Sequence, residues 1–446
     1  MSLQKEKIVY LRSLGCSKNT VDSEVMLALL KRKGYRTTDN PEEASRIVVN
    51  TCAFIDEAKE QAIDSILELA VHRKRGVKLI VAGCLSQLNW RELLDEMPEV
   101  DAVVGVGNLE SILEAIDSAG EQRDFPDSRC IEEGYREYAS RSELLSFPGF
   151  AYVKISEGCS RHCSFCLIPK IRGKMRSRLP ATIIHEARSL RKRGIQELIL
   201  ISQDTLSYGK DLGMRDGLKT LLEGIVRASG ISFLRLLYLR PSQELFQLIE
   251  LFNGGGVLPY FDIPIQHVSE KILRLMGRSG GDREYRRIID SIRERVPGAV
   301  FRTSVIVGFP GETDRDFALL LNFVQEVEFN HLGVFIFSPQ RETAAFSLKG
   351  RVPRKVAEIR KRLLMESQQK ISHRLLTRLV GQTFPVLVEE RFQEEPLYIG
   401  RSYHFTPEVD GVFLLRSAKN LVPRSIVHAR VTSADDYDLH GEALKS

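Results

Sequence analysis

The stretch ISEGCSRHCSFCLIPK, residues 155–170, decides how the chain is read. It places Cys159, Cys163 and Cys166 in the spacing C-x3-C-x2-C, directly after the strand-like run AYVKIS (151–156). Thiolates are soft ligands, and three on one short loop can hold three irons of an iron–sulfur cubane. Structural zinc takes four ligands, and no further Cys or His completes such a site at usual spacing; His162 lies within the loop. Three thiolates leave one iron open to a small molecule. The competing reading is three buried or adventitious thiols, although loop cysteines beside Arg161 and His162 are unlike core filler.

Downstream, apolar runs recur at ELILIS (197–202), FLRLLYL (233–239), YFDIPI (260–265), VFRTSVIVG (300–308) and HLGVFIFS (331–338). Helical stretches such as ATIIHEARSLRKRG (181–194) and TDRDFALLLNFVQEVE (313–328) separate them. Counting AYVKIS, six β-α units predict a curved parallel sheet or partial (β/α)6 barrel. A basic helix over 353–381 closes it, and four short strand signals between 384 and 434 predict a small all-β barrel. Upstream, KIVYLR (7–12), RIVVN (46–50), KLIVAG (78–83) and VDAVVG (100–105) alternate with amphipathic stretches, the pattern of an α/β, doubly wound parallel sheet. Residues 119–149 are polar, with Pro and Gly, and read as a linker. The expected division is 6–122, 145–375 and 376–446, in keeping with about 150 residues per domain.

Cys16 follows the first upstream strand, Cys52 the second and Cys84 the third. In a doubly wound sheet those strand ends share one edge, where ligands bind, so the three should converge. Small apolar filler is the alternative, but packing alone does not repeat one placement on three strands. The functional reading is a second three-thiolate cluster, again with an open iron. Cys130, in the linker, reads as an incidental thiol. Seven cysteines, a start MSLQKEKIVY without a secretory apolar core, and no apolar run of the roughly 18 residues that span a membrane predict a cytoplasmic protein. A net charge of +5 permits an acidic partner without demanding one.

The C-x3-C-x2-C loop with Phe165 before its last Cys resembles the signature of the radical S-adenosylmethionine superfamily. The resemblance implies a 4Fe–4S cluster whose open iron binds S-adenosylmethionine and whose electron yields a 5′-deoxyadenosyl radical. With two cysteine triplets and a barrel tail, the whole chain resembles the methylthiotransferases: an N-terminal methylthiotransferase domain, a radical core and a C-terminal TRAM domain. That family inserts sulfur into an unactivated C–H bond and caps it with methyl. SLGCSKNTVDSE, NTCAFIDEAKE, LILISQDTLSYG, YFDIPIQHVS and GRSYHFTPEVDG resemble the RimO-type branch, which acts on an aspartate of small-subunit ribosomal protein 12. The other branch, the MiaB type, acts on a tRNA adenosine. The resemblance implies two 4Fe–4S clusters, on Cys16, Cys52 and Cys84 and on Cys159, Cys163 and Cys166. It also implies S-adenosylmethionine and a reductant such as flavodoxin or ferredoxin. It identifies no general base. A non-catalytic iron–sulfur carrier is the remaining alternative, disfavoured because open irons invite side reactions.

Further residues carry weaker signals. Gln203 and Asp204 stand where the superfamily recognises the cofactor's amino group, or form an ordinary capping turn. Ile306, in IVGFPGET, packs on adenine or is core. His267 ends a strand and reads first as structural. Arg161, Lys170, Arg172, Lys174, Arg176 and Arg178 form a run without acids, expected to hold carboxylates of the cofactor or target, or else to be a solvated segment. From Thr383 to Ser446 ten acids oppose seven bases, a net −3. Such a tail is a poor tRNA clamp and suits a basic protein.

Overall fold

The structure, a computed structural model, describes residues 7–444 apart from 119–120, 122, 139–140, 142, 147–148, 255 and 393–394. Among the described residues no helix is long and apolar enough to cross a membrane. The chain forms two compact units: residues 1–146 with 154–162 and 166–178, and residues 147–153 with 163–165 and 179–446.

In the first unit, β1 (Ile8–Ser13), β2 (Arg36–Thr38), β3 (Arg46–Thr51), β4 (Lys78–Gly83) and β5 (Ala102–Val104) form one parallel sheet in the order β2-β1-β3-β4-β5. Alternate side chains leave opposite faces, so apolar runs can bury both. Val9, Val48 and Ile80 pack with Val25, Met26, Leu29 and Leu30 of α1 (Ser17–Arg32). Ile47, Val49, Leu79 and Val81 pack with Ala62, Ile66 and Leu69 of α2 (Asp56–Ala70) and Leu85 and Leu93 of α3 (Cys84–Glu96). The expected doubly wound sheet is present. Edge strand β2, with sequence RTT, has no apolar run to announce it. Leu167 and Ile171, just past the cysteine loop, are buried in the core of α2 and α3.

In the second unit, β6 (Phe150–Lys154), β7 (Glu197–Ile201) and β8 (Phe233–Leu236) form one three-stranded sheet. Strands β9 (Tyr260–Asp262), β10 (Val300–Val307) and β11 (His331–Ile336) form another. Leu258 N donates to Leu234 O and Leu239 N to Asp262 O, both at 2.8 Å, which carries the array from β8 to β9. The helices between them bury one side; the one at Asp314–Val327 starts with a capping box between Thr313 and Asp316. The long helix Arg354–Thr377 leads to a closed barrel of β12 (Thr383–Arg391), β13 (Leu397–Arg401), β14 (Phe413–Arg416), β15 (Ile426–Ala434) and β16 (Leu439–Ala443), in the order β12-β13-β14-β16-β15. Strand β16, LHGEA, is the one the sequence pattern misses, because Leu439 is its only large apolar residue.

The loop between β13 and β14 docks on the amino ends of the parallel strands. Arg401 reaches Glu197 at 2.7 Å, Arg235 donates to Tyr403 O at 3.0 Å, and Tyr260 donates to Asp410 at 2.6 Å. Arg302 also pairs with Asp410, and His331 Nε2 donates to His404 O at 2.7 Å. Glu197, Tyr260 and His331 are the first residues of β7, β9 and β11, so this loop closes the base of the array and leaves the carboxyl ends for chemistry. The tail's acidity is therefore partly internal. Glu389 pairs with Arg401 at 2.8 Å, and the Asp410 side chain is enclosed against Arg302. Setting aside Glu389, Asp410 and Arg401 leaves eight acids against six bases, with Glu394 outside the described residues.

His404 stacks on Tyr403 and is 3.0 Å from Ser402 Oγ. Burial, with neighbouring His331 and Arg235, pushes its pKa down to about 3. The unfolded chain then binds a proton below its ordinary pKa of about 6.5 that the folded chain refuses, so this stability is present above about pH 6.5 and lost as pH falls. Between pH 7 and 5 the loss is about 2 kcal/mol. Urea unfolding at both pH values should show His404→Gln losing less stability than the wild type by about that amount; equal losses would contradict a buried neutral imidazole.

Candidate functional site

The order β2-β1-β3-β4-β5 reverses direction between β1 and β3, which opens a crevice at their carboxyl ends. Cys16 precedes α1 there, Cys52 follows β3, and Cys84 opens α3. Cys16 is exposed, Cys52 half-buried and Cys84 buried, all as free thiols. The backbone bends sharply to bring them together. Gly15 has φ +92°, and a Cβ there would stand 2.7 Å from Cys52 Cβ and 3.2 Å from its Sγ. Asn19 ties the turns, donating to Leu14 O at 3.0 Å and Thr51 O at 2.8 Å, while its Oδ1 lies 3.6 Å from Cys84 Sγ. Burial pushes the Cys84 thiol up to about 12, with Arg172 opposing and the other two cysteines adding to the rise. Burial raises Cys52 too, with Cys16 contributing. Mutual influence among all three follows from their convergence.

Among the described residues no three His, Cys, Asp or Glu side chains surround a single point as ligands of one metal ion. A cubane differs, since each thiolate takes its own iron. Three soft donors against a glycine with no side chain fit that group.

Arg172 enters this site from the segment after the cysteine loop. Its Nη1 donates to Asp22 at 3.0 Å and Glu157 at 2.8 Å; its Nη2 donates to Asn19 Oδ1 at 2.6 Å and lies 3.4 Å from Cys84 Sγ. Lys154 completes the group, pairing with Asp22 and with Glu157. All four charged side chains are buried. Burial opposes the Glu157 charge, but Arg172 and Lys154 override it and hold that carboxyl far below its usual range. Removing one partner of such a buried set costs about 3–5 kcal/mol. The expectation of a cationic run open to external carboxylates is thus corrected for three members. Arg172 is committed to Asp22 and Glu157, Arg178 pairs with Glu137 at 2.9 Å, and Arg176 is buried against backbone carbonyls. Arg161, Lys170 and Lys174 remain exposed.

The cysteine loop is held locally. Cys159 N donates to Gly173 O at 3.0 Å, and Gly158, at φ +81°, leaves no room for a Cβ, which would meet Lys174 O at 2.3 Å. In the second unit, Ser164 N donates to Met276 O at 3.0 Å and Ser164 Oγ to Leu275 O at 2.7 Å. Phe165 meets Phe309 edge-on at 6.5 Å and lies under Arg278.

At the carboxyl end of β7, Gln203 is half-buried and Asp204 is buried. Asp204 accepts from Arg240 Nε at 3.2 Å and from Ser207 Oγ at 2.8 Å, so its carboxylate is oriented from below. Ile306 is half-buried, and its register partner on β11 is Phe335, 46% exposed. Phe335 is absent from the sequence-based candidates, although its place near the end of HLGVFIFS is the same signal that singled out Ile306. His267 lies in the interior. It is fully buried, and its Nδ1 accepts from Val268 N and Ser269 N at 2.9 Å, turning Nε2 toward Glu312. Cys130 is exposed.

Family models match in three places: uncharacterized protein family UPF0004 over residues 8–105, the radical SAM superfamily over 153–324, and the TRAM domain over 380–444. A ribosomal protein uS12 methylthiotransferase RimO from Acetivibrio thermocellus is 42% identical over 447 residues, covering 98% of this chain and 99% of that protein. Its namesake from Aquifex aeolicus is 43% identical, covering 96% and 95%. Among solved structures, the radical S-adenosylmethionine methyltransferase TsrM from Kitasatospora setae, with cobalamin and a 4Fe–4S cluster bound, superposes with TM-score 0.56 at 16% identity over 74% of this chain and 75% of its own. That likeness supports the fold.

Gly15 and Gly34 separate crowding from backbone strain. Gly34 has φ +89° with nothing within 4 Å of a Cβ. Gly34→Ala should cost only the left-handed conformation, roughly 1–2 kcal/mol. Gly15→Ala should cost more and also lower iron uptake, because Cys52 must move. Equal unfolding midpoints and iron contents for the two variants would show that the approach to Cys52 is unimportant.

Proposed function

This chain belongs to the RimO family of radical S-adenosylmethionine methylthiotransferases, and on that premise we propose that it methylthiolates the β-carbon of an aspartate in small-subunit ribosomal protein 12, using two 4Fe–4S clusters. The observation carrying this reading is the convergence of Cys16, Cys52 and Cys84 at the sheet's reversal point, separate in sequence from Cys159, Cys163 and Cys166. Radical generation needs one three-cysteine set. A second set has no place in it and suits the handling of sulfur.

Cys159, Cys163 and Cys166 would hold the cluster that takes S-adenosylmethionine, and Cys16, Cys52 and Cys84 the other. When bound, these groups supply the hydrogen-abstracting radical, the sulfur and, from a second S-adenosylmethionine, the methyl. The chain's residues bind and orient. Gln203 and Asp204 offer acceptors for the cofactor's amino group, with Arg240 fixing the Asp204 carboxylate. Ile306 and Phe335 offer apolar surface for adenine. Phe165, packed on Phe309, steadies the loop between its cysteines. A reductant such as flavodoxin or ferredoxin would supply electrons. The acid excess left on the tail favours a basic protein over a phosphate backbone as partner.

Reconstituted protein should carry about eight irons, and the Ala triple variant at Cys159, Cys163 and Cys166 about four. An unchanged iron count would refute those ligands. Replacing Cys130 should change nothing.

Mass spectrometry after anaerobic incubation with S-adenosylmethionine and reductant tests the substrate. Ribosomal protein 12 should gain one methylthio group on an aspartate, and tRNA none. Triple replacement of Cys16, Cys52 and Cys84 should abolish that product while reductive cleavage of S-adenosylmethionine continues. Methylthiolated tRNA with unmodified ribosomal protein would move the enzyme to the other branch.

A further inference from the structure

Arg172 does not belong to either cysteine set, yet its guanidinium reaches Cys84 of the N-terminal one. Nη2 stands 3.4 Å from Cys84 Sγ and 2.6 Å from Asn19 Oδ1, while Nη1 is engaged with Asp22 and Glu157. The side chain is 2% exposed, so water does not compete for these donors. Two buried cations, Arg172 and Lys154, face two buried carboxylates, Asp22 and Glu157. That group is balanced without any thiol. Lys154 has the charge but not the fork: a planar guanidinium can serve carboxylates with one nitrogen and aim another at sulfur, and an ammonium cannot do so at fixed angles. Asn19 shares in the aim, since the amide that ties the turns after β1 and β3 accepts from the same nitrogen.

We infer that Arg172 is a positioning residue for the N-terminal iron–sulfur cluster, donating a hydrogen bond to the Cys84 sulfur and thereby setting the cluster's reduction potential. The inference rests on the reading that Cys16, Cys52 and Cys84 hold a cluster. A thiolate ligated to iron accepts a charge-assisted hydrogen bond more strongly than a thiol does. Hydrogen bonds to cluster sulfurs and nearby positive charge stabilise the reduced, more negative form and raise the potential. Because Arg172 lies six residues past Cys166, the segment carrying one cysteine set also supplies the donor to the other.

The test uses the full chain with Cys159, Cys163 and Cys166 replaced by Ala, so that one cluster is read. Its midpoint potential is measured by redox titration followed by electron paramagnetic resonance. Arg172→Gln should lower the potential and alter the spectrum of the reduced cluster. Arg172→Lys should shift it in the same direction by less, since charge is kept and the fork lost. Arg172→Gln combined with Asp22→Asn keeps the buried charges balanced and guards against simple misfolding; the lowered potential should persist. An unchanged potential in the balanced double variant, with iron retained, overturns the role of Arg172 alone. Absence of iron from the parent triple variant overturns the two-cluster reading, and this inference with it.

Discussion

Parallel strand pairing is the constraint from which the candidate chemistry follows. A parallel sheet puts the carboxyl end of every strand on one edge, whatever the distance along the chain. Cys16, Cys52 and Cys84 are 36 and 32 residues apart, yet each needs only to follow its strand by a residue or a short turn to reach that edge. The reversal of order between β1 and β3 keeps helices α1 and α2 on opposite faces and leaves the crevice between them open. No long-range side-chain contact has to be specified to bring the thiols near one another; the sheet does it.

The second unit applies the same rule with a further requirement. A curved parallel array has two open ends, and only one can serve as an active face. Here the tail barrel supplies the closure at the other. Its loop brings Arg401 to Glu197 and Asp410 to Tyr260 and Arg302 at the amino ends of the strands. Buried charges so placed are satisfied in pairs, since an isolated one would be strongly unfavourable. The acids of the tail thus divide between an internal structural set and a surface set, and only the latter bears on partner choice.

Local signals made much of this legible. Short apolar runs alternating with amphipathic stretches marked the parallel strands, and the cysteines stood at strand ends in both regions. What escaped had no local mark. Strands β2 and β16 are short and carry few large apolar side chains. Phe335 lies beside Ile306 through strand register, which a sequence leaves open until its neighbours are known. The cations at 172 and 178 read as available to external carboxylates because their partners Asp22 and Glu137 lie far away in sequence. A charge run shows only its own sign; burial and pairing are properties of the fold.

Arg172 illustrates why such a residue is informative once seen in place. A buried ion group can be replaced by apolar residues of like volume with little loss, and often with gain, so stability alone is a weak reason to keep one. The group of Asp22, Glu157, Lys154 and Arg172 is fully enclosed, and two carboxylates with two ammonium groups would balance it equally well. What a lysine could not do is serve those carboxylates and also direct an N–H at Cys84 Sγ beside Asn19. The geometry therefore goes beyond charge balance, and the excess points at a sulfur atom.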